Sequence, residues 1–130
     1  MYLLDSLKYI NNVHINMNAR EDQRPISLDP LEIDDFERMA RMYLAMASRV
    51  RLSIIYLIRK YGEVCTQQLM KALSISQPSV TAHLNRLYRA GILTRTERKK
   101  FTFYRIDERA VNLLDPFLKY AKKLEEIKEG

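Results

Sequence analysis

SQPSVTAHLNRLYRAGILTRTERKKFTFYR, residues 76–105, changes its hydrophobic period at Gly91, and the fold turns on that change. Before Gly91, Val80, Leu84 and Leu87 recur at helical spacing and share one face of an amphipathic helix. Ser76 stands where an N-cap belongs, and Pro78 falls in the first turn, where a missing backbone N–H costs nothing. The helix is expected to end near Arg89, with Gly91 as its stop. Past Gly91 the hydrophobic period falls to about two. Ile92–Glu97 and Phe101–Ile106, rich in Thr, Phe, Tyr and Ile, read as the strands of a hairpin. Its tip, Arg98-Lys99-Lys100, lacks the Asn-Gly or Asp-Gly pair of the tightest turns, so a longer loop is expected.

On the N-terminal side, Thr66 is placed to cap a short helix, QQLMKAL, that buries Leu69, Met70 and Leu73. The link Leu73-Ser74-Ile75 leaves room only for a tight turn, so the two helices form a helix-turn-helix. Ser48 caps an earlier helix with Leu52, Ile55 and Ile58 or Tyr56 as its buried stripe, ended by Gly62. A first helix begins at Leu31: Phe36, Met39, Ala40, Tyr43, Leu44 and Ala47 recur at its spacing, and Asp34, Asp35 and Glu37 suit its positive end. Asp107–Lys128 returns to helical spacing. There Pro116 should interrupt or kink the chain, with Asp115 as an N-cap and Phe117, Tyr120, Ala121, Leu124 and Ile127 on one face beyond it. Residues 1–30 read as a partly flexible segment, with a short helix open within Tyr2–Ile10 and a linker over Asn16–Pro30. Residues 31–130 form the domain, mainly α with a small β-hairpin wing: a winged helix-turn-helix.

The charge is concentrated in the same stretch. Between Arg86 and Arg105 seven basic residues face one acid, Glu97, an excess equal to the +6 of the whole chain. A localised cationic strip of this kind suits a phosphate backbone. On a helical wheel of about 100° per residue, Leu84 and Leu87 fall within about 40° of Val80. Ser79, Ala82, Asn85, Arg86 and Arg89 then point away from the core, with Ser76 and Gln77 at the helix mouth. Small residues allow close approach to a major groove, Gln and Asn can read adenine edges, and Arg can hold guanine or phosphate. The pattern alone also fits an ordinary surface helix, and a basic hairpin tip also fits a solvated edge. Their adjacency favours DNA, with Arg86, Arg95, Arg98, Lys99 and Lys100 on phosphates. His83, about 60° from Val80, has two open placements, the core edge or a phosphate. Phe103 and Tyr104 read as hairpin packing.

ASRVRLSIIYLI (47–58), EVCTQQL (63–69), SQPSVTAHLNRLYRAGIL (76–93) and the hairpin ending FYRID (103–107) together resemble the ArsR/SmtB family of winged helix-turn-helix repressors, over residues 34 to 128. The resemblance implies a homodimer built on the first and last helices, which places Phe36, Met39, Tyr43, Phe117, Tyr120 and Leu124 at the dimer contact. It implies a palindromic operator released on an effector signal, and Ser76, Gln77, Ser79, Thr81 and His83 facing DNA. Metal-sensing members carry Cys-x-Cys where this chain has Cys65-Thr66-Gln67, and others place histidine on the terminal helix, which has none here. Soft metals need several converging Cys or His ligands, and the chain holds only Cys65, His14 and His83, so neither metal nor cofactor is expected. Cys65 remains open between a buried apolar residue and a redox-active thiol.

A chain of 130 residues with 47% hydrophobic content suits one domain with a real core. The single cysteine points to a reducing, cytoplasmic setting, and no apolar run of about 18 residues calls for a membrane partner. MYLLDSLKYINN lacks the basic leader and cleavage site of a signal peptide. No phosphate-cradling glycine loop or nucleophile and base pair supports an enzyme. The expected function is a sequence-specific double-stranded DNA-binding regulator, a dimeric repressor; the alternative is a winged-helix module that binds protein in a larger assembly.

Overall fold

The computed structural model describes residues 23–129. The chain divides into residues 1–31 and residues 32–130, and within the first unit residues 23–31 form neither helix nor strand. The short helix open within Tyr2–Ile10, and His14, lie outside the described residues.

The second unit enters through a 3₁₀ turn, Ile33–Phe36, into α1 (Glu37–Met46). Met42, Ala45 and Met46 face the core, whereas Phe36, Met39, Tyr43 and Leu44 are exposed. Ser48 then leaves the helical region, and its hydroxyl accepts the Arg51 N–H to open α2 (Arg49–Tyr61). Gly62, at φ +84°, closes α2 with its N–H on the Ile58 carbonyl. The buried stripe of α2 is Arg51, Ile54, Ile55 and Ile58; Ile55 is buried as expected and Ile58 is the buried one of the pair Ile58 and Tyr56, while Leu52 is only half-buried.

A two-residue strand, β1 (Val64–Cys65), precedes α3 (Thr66–Leu73). Cys65, not Thr66, occupies the N-cap position, and its backbone N–H donates to Oε1 of Gln68 at 2.9 Å. Thr66 was the expected cap because its hydroxyl is the usual acceptor, but strand pairing holds Cys65 extended and moves the boundary back by one residue. Of the three expected core residues of α3, Leu69 is fully buried while Met70 and Leu73 pack half-buried against the core.

Ser74 turns the chain in the left-handed region at φ +53°, and the Ile75 N–H returns to the Met70 carbonyl. Ser76 then caps α4 (Gln77–Arg89), its hydroxyl accepting the Ser79 N–H. Gly91, at φ +80°, turns the chain into the hairpin.

The hairpin strands are β2 (Leu93–Arg98) and β3 (Phe101–Ile106), and β3 lies between β2 and β1 in a three-stranded antiparallel sheet. Pairing runs unbroken from Leu93 with Ile106 to Arg98 with Phe101, so only Lys99 and Lys100 form the turn. The longer loop expected there is corrected. Lys99 takes φ +57° without being Gly or Asn, a cost of about 1–2 kcal/mol that the adjoining ladder outweighs.

Asp107 caps a second 3₁₀ turn, Glu108–Ala110, which runs into α5 (Val111–Glu129). Pro116 lies inside α5 and does not start it. The carbonyl that loses its partner belongs to Asn112, an exposed residue where water can substitute. Ile54, Ile55, Ile58, Leu69, Val80, Leu84, Leu87, Ile92 and Leu114 form the innermost core, each worth about 1.5–3 kcal/mol of transfer free energy. No described helix is long and apolar enough to cross a membrane.

Candidate nucleic-acid interface

Val80, Leu84 and Leu87 are completely buried, which fixes the rotation of α4 and hence the side it offers outward. Ser76, Gln77, Ala82, Arg86 and Arg89 are exposed, while Ser79, Thr81 and Asn85 are half-buried along the edges of that side. Ser76 spends an oxygen lone pair on its cap, and Gln77 makes no side-chain hydrogen bond among the described residues, so its amide is free to read a base edge.

The wing is tied to this helix at its base. Arg95 donates from Nη1 to Oδ1 of Asn85 at 3.4 Å, and its guanidinium carbon sits 4.1 Å from the centre of the Tyr88 ring. Lys99 and Lys100 are exposed at the turn, and Arg105 is exposed on β3. Arg98, expected on a phosphate, forms an ion pair with Glu63 and lies 4.0 Å from the centre of the Phe103 ring. A carboxylate thirty-five residues away in sequence made that pairing invisible to local reading. Tyr104 is buried and Phe103 half-buried, both as hairpin packing.

His83 points to the edge of the core. Its Nδ1 lies 3.2 Å from Nη1 of Arg51, so that nitrogen accepts and the ring is neutral. Burial first, then the charges of Arg51 and Arg86, push the imidazole below its ordinary value. Of the two placements open for His83, the core edge is the one observed. Arg51 itself escaped the sequence reading. It is buried, and its Nε donates to the Ala45 carbonyl at the end of α1. Its only sequence signal is its place in the first turn of α2, where a surface cation would look the same.

Cys65 is a free, buried thiol in β1, opposite Phe103. Gln67, on the matching Cys-x-Cys position, is exposed. Among the described residues no group of three or more His, Cys, Asp or Glu side chains is arranged to hold a metal ion. The apolar residues expected at a dimer contact lie on α1 with the 3₁₀ turn before it and on α5: Phe36, Met39 and Tyr43 are 46–52% exposed, Tyr120 is 64% and Leu124 44% exposed, and Phe117 is half-buried against the core.

Known proteins resemble the chain in the same region. Residues 48–95 match the model of the bacterial regulatory proteins of the arsR family. An arsenic resistance transcriptional regulator of Pseudomonas putida is 32% identical over 78 residues, 60% of this chain and 61% of the relative. An arsenical resistance operon repressor of Escherichia coli is 33% identical over 66 residues, 51% of this chain and 56% of the relative. The chain thus spans about three fifths of the length of these curated relatives. Among solved structures, a homodimeric winged helix-turn-helix DNA-binding domain from Mycobacterium bovis superposes with a TM-score of 0.62 at 20% identity, covering 76% of this chain and 91% of that one. That likeness shows the fold, a winged helix-turn-helix. The sequence match runs across α2, α3, α4 and the start of the wing, and over that region the chain is similar to the arsR family of bacterial regulatory proteins.

Proposed function

We propose that the protein is a sequence-specific regulator of transcription that binds double-stranded DNA as a homodimer and represses at a palindromic operator. The observation that carries this reading is the union of two surfaces: the uncharged, exposed mouth of α4 at Ser76 and Gln77, and the cationic wing bonded to the same helix through Arg95 and Asn85. Gln77, Ser79, Thr81 and Asn85 select sequence along the major groove. Arg86, Lys99 and Lys100 hold phosphates and set register. Arg95 and Arg98 position the wing and add charge, since both are engaged with protein partners. The dimer buries the exposed apolar faces of α1 and α5 and spaces two copies of α4 about one helical turn of DNA, roughly 34–36 Å, apart.

The test is fluorescence anisotropy with DNA from upstream of the protein's own gene and with unrelated duplex. Lys99→Ala with Lys100→Ala weakens binding to every sequence and lowers the salt slope by about one per lost phosphate contact. Gln77→Ala changes preference at one base pair, by about 1–3 kcal/mol. Equal affinity for all duplexes in the unaltered protein would overturn sequence-specific recognition.

A further inference from the structure

Arg51 carries a positive charge that the fold buries, and among the described residues no acid pairs with it. The residue is 9% exposed, and the two hydrogen-bond partners of its guanidinium among the described residues, the Ala45 carbonyl and Nδ1 of His83, are neutral. The carbonyl end of α1 offers only the fractional negative charge of a helix terminus. Among the described residues no carboxylate forms an ion pair with Arg51. Burial first, then the charge of a second cation, Arg86, hold the guanidinium below its ordinary value. An uncompensated buried charge is costly, and its natural complement is an anion.

The place for that anion is present. A groove beside Arg51 is lined by Ala82, His83, Asn85, Arg86 and Arg89, all from α4. Nη2 of Arg51 has no hydrogen-bond partner among the described residues and is not sealed from solvent, so it remains available as a donor. Ala82 keeps the entrance open, and Arg86 and Arg89 are exposed at its rim. The groove is on the same helix that carries the proposed sequence-reading residues.

We propose that this groove is a phosphate seat, with Arg51 as its floor and Arg86 and Arg89 as its rim. The proposal rests on the DNA-binding reading for its natural occupant, a backbone phosphate beside α4; free inorganic phosphate presents the same chemistry. Arg51 acts there as a positioning residue as well, because it joins the end of α1, the start of α2 and the middle of α4. An occupant would offset the repulsion that His83 feels from Arg51 and Arg86, so the imidazole reports on the seat.

The experiment uses the full chain with ¹⁵N-labelled histidine, with His14 as the internal control. Inorganic phosphate is titrated at an ionic strength held constant with chloride, and a duplex from upstream of the gene is titrated separately. Phosphate is expected to move the His83 ring signals saturably and to raise its pKa. The duplex is expected to move the same signals. Arg86→Gln with Arg89→Gln, at exposed positions that leave the core alone, should abolish the phosphate response and lower the salt slope of duplex binding by one to about two. Arg51→Lys keeps the charge but loses the planar fork and should weaken both responses.

A response to duplex alone assigns the seat to DNA, and a response to phosphate alone, with duplex bound, assigns it to the free anion. No response of His83 to either, while duplex binding still depends on Lys99 and Lys100, overturns the seat and leaves the DNA reading standing. Saturable phosphate binding without duplex binding keeps the seat and removes that reading.

Discussion

Arg95 on β2 reaches Asn85 on α4 with Nη1 3.4 Å from Oδ1, and so couples the wing to the helix that would enter the groove. The bond is exposed and long, and as a contribution to folding it is worth under about 1 kcal/mol. Its consequence lies in orientation. Asn85→Ala and Arg95→Ala are expected to be non-additive in DNA affinity by more than about 0.5 kcal/mol, because either change releases the same coupling. A double-mutant cycle measured by anisotropy checks this, and strict additivity would mean that wing and helix bind independently.

Asp107 is buried where β3 hands over to the last helix, and its carboxylate accepts from the Arg109 guanidinium at 2.9 and 3.2 Å and from the Arg109 backbone N–H at 2.9 Å. The guanidinium hydrogen bonds first, then the backbone N–H, hold the carboxyl below its ordinary value against the opposing effect of burial, with the charges of Arg109 and Arg38 adding to the effect. The unfolded chain therefore binds more protons than the folded one below the free Asp value of about 3.9. The contribution is present above that pH and is lost as pH falls through the lower folded value. Urea midpoints should fall more for the unaltered protein than for Asp107→Asn as pH is lowered from about 6 to about 3. Parallel decline of the two would remove Asp107 as a source of acid sensitivity.

Tyr43 and Leu124 are exposed on α1 and α5, at 52% and 44%, as large apolar side chains with no cover within one chain. Tyr43→Glu with Leu124→Glu should convert dimer to monomer in sedimentation velocity, with folding stability changed by no more than about 0.5 kcal/mol per surface site. Operator affinity should fall at least about tenfold, or 1.4 kcal/mol, since two half-sites are no longer held together. Unchanged sedimentation would place the dimer contact elsewhere.

Cys65 is 7% exposed and free. A thiol so placed reacts only when the structure opens, so labelling by a disulfide reagent in native buffer should be at least about a hundredfold slower than in urea. Cys65→Ser should cost about 1–3 kcal/mol by burying a hydroxyl at an apolar position. Rapid labelling of the native protein, with loss of DNA binding that Cys65→Ser resists, would establish the thiol as a redox sensor.

Much of the fold is legible because its signals are local. Val80, Leu84 and Leu87 declare one face of α4 by spacing alone, Ser48 and Ser76 are caps whose partners lie three residues on, and Gly62 and Gly91 occupy positions of positive φ. The cationic excess of residues 86–105 needs no structure to be counted. Each depends on neighbours within a turn or two of chain, which periodicity and capping chemistry can report.

The remaining features depend on groups far apart in sequence. Val64–Cys65 is too short to show a strand period and becomes one only by pairing with β3, which in turn shifts the cap of α3. The Lys99-Lys100 turn is set by ladder register and not by turn propensity. Arg98 and Arg51 look alike as cations in the sequence, yet one pairs with Glu63 and the other is buried against Ala45 and His83. A charged residue's environment is the sum of distant carbonyls, rings and charges, and only packing brings those within range; for that reason the exposed cationic pattern could be read from one strip of residues while the buried cation behind it could not.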